Sequence, residues 1–509
     1  MSTISKKKES DKSFFAKFFE LIKTSWRIPE IKNKLLFTFL IIILFRLAAA
    51  IPTPYFNFAA NFNDAWSTSI LGFMNILSGG SLSQGTMLAL GVGPYITASI
   101  VMQLLTIAIP PLERLSKEGP EGQKKINLYT RITTVILAII EAVGYTFMVM
   151  DEKATYYVGS RETGSMIFAG AVMVCCYVAG AMIVMWFAEK INDHGIGNGV
   201  SIILFAGIVA GVWQQIMQLY CATFDTNYDK VIDFNYVGLI ISICVILFVL
   251  AMIVMIVWMS DAERRIPIQY AKRVVGRKMF GGQSSNLPLK VNMSGVMPII
   301  FANSIVMVPL TIASFLQNTK NGFAEFMQQL VSGEWGFLNT LSEKINLLVP
   351  SAILRSFLSI GQNSVWYFLV TLVLLVAFAY FYIAISFNPV EVANNIKNNG
   401  GAIPGIRSGK PTVDFIKKVL NRITLLGALL IAVIAGIPLL AGLICTIFAQ
   451  AWNMPSNPSL FTQAYSCIGG FVAFSGSSLM IVVGVALETV RELEAQISLR
   501  SYNSKGFLN

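Results

Sequence analysis

Ten stretches of roughly twenty apolar residues with almost no charge constrain this chain more than anything else in it. They fall near 35–51, 86–109, 131–150, 165–188, 196–213, 236–259, 292–314, 364–387, 423–449 and 467–488. Strands of a membrane barrel need only about half that length, so each window predicts a helix crossing a bilayer. The composition agrees, with 55% hydrophobic and 13% charged residues in 509. The fold class expected is an all-α integral membrane protein.

Net charge of +11 suggests a nucleic-acid binder until its distribution is considered. With the amino terminus placed in the cytoplasm, the segments 1–34, 107–131, 189–195, 260–291, 388–422 and 489–509 hold 31 of the 38 Lys and Arg residues. Positive charge collects on the cytoplasmic side of membrane proteins, so both termini are expected there, as an even number of spans requires. Most of the basicity is therefore topogenic. Residues 14–27, FFAKFFELIKTSWR, have the spacing of an amphipathic helix on the inner surface.

Ten spans divide into five and five. Because five is odd, the second half starts from the opposite side, the topology of inverted repeats around a central pathway. The expected layout is a cytoplasmic segment 1–34, a first half 35–213, an external loop 214–235, a second half 236–488 and a cytoplasmic tail 489–509. Loops 260–291 and 388–422 are the largest basic excursions and have the character of a docking face. The stretch NILSGGSLSQGTMLALGVGPYITASIVMQLL, residues 75–105, is apolar yet dense in glycine, which weakens helices. Irregular backbone at membrane depth is tolerated only against protein or a watery cavity.

Catalytic readings find little support. The glycines of HGIGNGVSIILFAGIVAG (194–211) follow no strand and precede no Lys-Ser/Thr, so a phosphate loop is disfavoured. His194 is the sole histidine, and the six cysteines show no metal spacing, so no metal or cofactor is expected. Only Arg46 and Glu141 are charged well inside the spans, too few for a proton relay. Arg46 is read as either snorkelling or bonding to backbone carbonyls. A secondary transporter is the competing class, and a membrane-bound enzyme a weaker third.

The runs FMNILSGG, ALGVGPYITASIVMQLL, KEGPEGQKKINLYTR, GIGNGVSIILFAGIVAG, YAKRVVGRKMFGGQSSNLPLKVNMSGVMPIIFANSI and FNPVEVANNIKNNGGAIPGIRSGKPT occur in this order. Together they resemble the bacterial SecY family, the central channel subunit of the Sec protein translocase. The resemblance covers roughly residues 30–505. It implies ten transmembrane helices in two inverted five-helix halves, with a re-entrant plug helix at about 68–84 that includes Ser78, Gly79, Gly80 and Ser81.

It further implies a constriction ring of Val92, Ile96, Val200, Leu204, Ile300 and Ile481, each of which is otherwise an ordinary packing residue. A lateral gate would lie between spans two and three and spans seven and eight. Its polar candidates, Thr97, Gln103, Asn303 and Ser304, either bond across helices or simply pack. Arg264, Arg265, Lys272, Arg273, Arg277, Lys278 and Arg407 are the expected partner-binding residues, with Arg407 serving the motor. Expected partners are SecE, SecG, the SecA motor ATPase, the ribosome, secretory and membrane polypeptides, and lipids. The expected location is the bacterial plasma membrane, and no covalent chemistry is expected.

Overall fold

The structure is a computed structural model, and it describes residues 23–57, 75, 78–150, 157–159, 162–225, 233–234, 236–270, 273–275, 278–280, 284–293, 295–315, 365–451 and 476–506. A helix stands on every one of the ten apolar windows. The first half holds α1 (Pro29–Ala49), α2 (Gly93–Ala108), α3 (Pro110–Lys117), α4 (Pro120–Val149), α5 (Thr163–His194) and α6 (Gly199–Thr223). The second holds α7 (Tyr236–Asp261), α8 (Met297–Phe315), α9 (Val365–Ser386), α10 (Pro389–Asn398), α11 (Lys410–Ala451) and α12 (Gly476–Gly506).

Local chemistry sets the helix ends. Proline occupies the first turn of α1, α2, α3, α4 and α10, where its missing N–H costs no hydrogen bond. Pro110 also holds Ile109 extended, and α3 departs from α2 at 101°. At α10 the Asn388 side chain accepts from the Val390 amide at 3.1 Å and the Glu391 amide at 3.5 Å.

Several elements outrun their apolar windows. Helix α4 has 30 residues, about 45 Å of axis against a hydrocarbon core of about 30 Å, so its polar first turns project beyond the membrane. Helix α11 begins at Lys410, inside the loop expected over 388–422, and α12 continues through most of the expected 489–509 tail. Helix α6 likewise enters the expected 214–235 loop before Phe224–Asp225 (β1) pairs antiparallel with Asp233–Phe234 (β2). Hydropathy marks only the lipid-buried part of a helix, while Lys, Arg and Glu propagate it well in water. Of the surface helix expected over 14–27, residues 23–27 are described, and they are helical.

The two large basic loops form one small unit. Strand β3 (Glu263–Tyr270) pairs antiparallel with β6 (Ser284–Lys290) from Glu263↔Lys290 to Gln269↔Ser284. The pair β4 (Arg273–Val275) and β5 (Lys278–Phe280) lies between them in sequence. Strand β7 (Gly401–Ala402), from the second loop, joins the other edge of β3. Beneath this sheet Ile266, Ile268 and Leu289 pack with Ile396, Ile403, Ile416 and Val419.

Within the membrane region, the main apolar cluster draws from both halves, including Phe45, Ile100, Ile191, Ile208, Ile256, Phe301, Leu375, Ile431 and Val485. Among the described residues five helical stretches are long and apolar enough to cross a membrane by length and composition alone, or six if the bent α2–α3 pair is one span. Outward-facing residues of α1 and α7 are apolar too, with Phe39 62% and Val254 67% exposed, as lipid contact requires.

Loss of the Asn388 cap should be measurable. Asn388→Ala is expected to cost about 0.5–2 kcal/mol locally and to speed hydrogen exchange at Val390 and Glu391, while Asn388→Asp retains protection. Equal exchange in both variants would contradict the capping role.

Candidate functional site

The six residues expected to form a constriction come from four separate places. Val92 immediately precedes α2 and Ile96 lies one turn on. Val200 and Leu204 share one face of the first turns of α6, Ile300 opens α8, and Ile481 lies early in α12. The structure brings all six into a single apolar cluster. Exposure is 4% for Val92, 6% for Ile96, 2% for Leu204, 6% for Ile300 and 1% for Ile481, with Val200 packed against them.

Beside the cluster lies the glycine-rich stretch. The part of the expected plug helix at 68–74 and 76–77 falls outside the described residues, and 78–92 is a continuous run of turns rather than a helix. Positive φ at Gly79, Gly80, Gly85 and Gly91 accounts for the difference, because left-handed residues cannot continue a right-handed helix. Asn75 organises the start, its carbonyl accepting from the Gly80 amide at 2.8 Å and its side-chain oxygen from the Ser83 amide at 2.8 Å. Ser78 receives the Leu82 amide at 3.1 Å.

This run is enclosed by four helices. Arg46 of α1 donates to the α6 carbonyls of Ala206 at 3.0 Å and Gly207 at 3.4 Å, the second of its two expected readings. A Cβ on Gly79 would lie 2.9 Å from the Arg46 guanidinium and 3.0 Å from the Gly207 carbonyl. In α5, Gly180 lies against the Met87 carbonyl so closely that a Cβ there would stand 1.9 Å from it. From α4, Tyr145 donates its hydroxyl to the Leu82 carbonyl at 2.6 Å.

Sequence reasoning missed Tyr145 and the Arg46–Gly79 contact. A signal existed, since Glu141 and Tyr145 are polar residues four apart in an otherwise apolar span and so share one helix face.

Helix α8 packs against both α2 and α4, and α9 packs against α8 and α11. The polar candidates on these helices do not bridge them. Thr97 donates to the Gly93 carbonyl at 3.1 Å, Gln103 to Ser99 at 3.3 Å and Ser304 to the Ile300 carbonyl at 2.8 Å, each within its own helix. Asn303 is 7% exposed and its amide nitrogen has no partner among the described residues. Interhelical hydrogen bonding by Thr97, Gln103 and Ser304 is therefore corrected to intrahelical bonding. A hydroxyl or amide in an apolar helix satisfies itself most cheaply on the carbonyl a turn earlier.

On the polar face, Arg264 and Arg407 are exposed and Arg265 pairs with Glu263 at 2.6 Å. Lys272 and Arg277 lie outside the described residues, while Arg273 and Lys278 begin β4 and β5. Arg491 of α12 donates to the Ser260 carbonyl at 2.7 Å and to the Asp261 carboxylate, fastening α12 to the base of the β3–β6 ladder. Burial first, then the neighbouring Arg491 guanidinium, push the Lys290 ammonium below its ordinary pKa, against the pull of Asp261, Glu263 and Glu488.

A buried apolar cluster drawn from both halves thus lies beside an irregular glycine-rich segment, with a basic sheet on the polar face. The SecY family model matches residues 86–490. The protein translocase subunit SecY of Streptomyces galbus is 39% identical over 95% of this chain and 98% of its own length. That of Aquifex aeolicus is 35% identical, with 95% and 99% covered. The chain belongs to the SecY family.

Solved structures carry the same fold. One described as a protein conducting channel superposes with a TM-score of 0.55 at 17% identity, covering 91% of this chain and 92% of that one. Sec61 in a canine ribosome-channel complex gives 0.52 at 15% identity, with 91% and 92% covered. This SecY-family chain is a multi-pass membrane protein and the channel subunit of a protein translocase, not an enzyme.

The enclosure of Gly79 separates two neighbouring glycines. A side chain at φ +69° or +87° costs roughly 1–2 kcal/mol in either case. Only at Gly79 does it also collide, since nothing lies within 4 Å of the Cβ position of Gly80. Gly79→Ala should therefore lower the thermal unfolding midpoint further than Gly80→Ala. Equal shifts would argue against the Arg46 contact.

Proposed function

We propose that this chain passes unfolded secretory polypeptides through the constriction of Val92, Ile96, Val200, Leu204, Ile300 and Ile481, and releases apolar segments sideways into lipid. The observation that carries this reading is that five of those six side chains belong to one buried apolar cluster drawn from both halves, with Val200 packed against it. Rings of aliphatic groups gate by dewetting, holding back ions until a chain parts them, and they place no charge requirement on what passes. The 78–91 run, with Ser78, Gly79, Gly80 and Ser81, acts as the plug. A neighbouring structure is described in the same terms, with a plug domain that stabilises the closed state and maintains a membrane seal.

Sideways release uses the contact of α8 with α2 and α4. Thr97, Gln103, Asn303 and Ser304 line these helices. Because three of them bond internally, parting the helices there breaks few hydrogen bonds. An apolar segment of about 20 residues is more stable in lipid than in a wet pore, so the seam is an exit.

The docking face comprises Arg264, Arg265, Lys272, Arg273, Arg277, Lys278 and Arg407. The exposed guanidinium groups of Arg264, Arg265 and Arg407 suit the phosphates of ribosomal RNA, and neutralising phosphates makes such docking sensitive to salt. The same face receives the SecA motor ATPase, and SecE and SecG complete the complex. The location is the bacterial plasma membrane, with both termini cytoplasmic and the basic loops on that side.

Arg407 stands exposed in the turn leading into α11, where its carbonyl accepts from Thr412 at 2.8 Å. Arg407→Glu should reduce motor-driven export at least tenfold, with much less effect on insertion by ribosomes, when both are assayed in the same inverted vesicles. Equal loss of the two activities would refute its assignment to the motor.

A further inference from the structure

We propose that the Tyr145 hydroxyl is the latch that holds the 78–91 segment in the closed channel, a role that rests on reading that segment as the plug.

Two sets of hydrogen bonds fasten the segment. On its trailing side the Thr53 amide donates to Gly85 at 3.3 Å and the Met87 amide to Ile51 at 3.0 Å, backbone bonds that fix the return toward α2. On its leading side Tyr145 donates to the Leu82 carbonyl at 2.6 Å. Tyr145 is 1% exposed and Leu82 2%, so this bond is shielded from competing water. The phenol is held in place by Tyr177, edge-on with ring centroids 5.1 Å apart and planes at 69°.

The polar groups around this bond are poorly provided for. Among the described residues Ser81 Oγ, Thr146 Oγ1 and Glu141 Oε2 are buried without a hydrogen-bond partner, and the Tyr177 hydroxyl faces Thr53 without a well-aligned bond. A buried polar group without a partner weighs against the state that buries it. When the segment leaves, water reaches these groups and that penalty is relieved. The seam beneath the segment therefore favours release, and the short Tyr145 bond opposes it. Arg46 does not serve as the latch, because its bonds run to α6 and not to the segment.

Latch and seam predict opposite effects. Tyr145→Phe keeps the ring against Tyr177 and deletes only the bond to Leu82. It should raise substrate-free iodide entry into liposomes holding the complete translocase complex by on the order of tenfold, the factor for one buried hydrogen bond. Tyr177→Phe, whose hydroxyl does not bond to the segment, should stay near the parent. Ser81→Ala removes an unpartnered group from the closed state and should slow initiation of export.

Deleting residues 78–84 tests the plug reading separately. A leak in that deletion with a tight Tyr145→Phe channel overturns the latch and leaves the plug standing. No leak in either removes the plug reading and the latch together. Unchanged or faster initiation in Ser81→Ala overturns the seam, whatever the assembly yield of the tyrosine variant.

Discussion

Everything in this structure depends on a non-helical run of backbone being satisfied from within the protein. A membrane offers no water to stray amides and carbonyls, so residues 78–92 can sit among the spans only if protein surrounds them. Asn75 and Ser78 meet their first amides, Tyr145 meets the Leu82 carbonyl, and residues 51–53 exchange bonds with 85–87. Arg46 performs the matching task for α6, covering two main-chain carbonyls beneath Gly79. A helix in place of this run would need none of these partners, and it would have no reason to move.

The constriction follows from the same arrangement. After the positive-φ Gly91, Val92 and Ile96 are buried at the start of α2, in the same apolar cluster as Leu204 of α6. Ile300 and Ile481 join that cluster from the second half, so the proposed constriction draws on both halves. Helix α12 carries Ile481 and then runs on to the polar face, where Arg491 bonds to Ser260 and Asp261 and Leu493 packs with Ile31 and Ile196. One rigid element thus joins the constriction, the base of the β3–β6 ladder and the turn that feeds α6.

Much of this was legible in the sequence. Hydropathy marked windows that carry helix among the described residues, because lipid selects apolar windows of fixed length, and of the two readings of the lone Arg46 its backbone-carbonyl bonds are the one seen. Boundaries were less legible. Helix α11 starts thirteen residues before its window, since hydropathy is silent about helix continuing through Lys, Arg and Asn in water. The sequence left the gate residues open between bonding across helices and simple packing, because it does not reveal that for Thr97, Gln103 and Ser304 an acceptor within their own helix lies nearer. Tyr145 went unnoticed because its acceptor is a carbonyl 63 residues away, and no spacing rule connects the two.

The central claim is that a translocating chain passes through the aliphatic constriction, and Ile96 is the place to test it. A photoreactive residue at position 96, in membranes bearing a stalled secretory polypeptide, should crosslink to that polypeptide only when its signal sequence is intact. Efficient stalling with no crosslink from 96, while a position in the 260–291 loop reacts, would leave a docking protein and contradict the channel path described here.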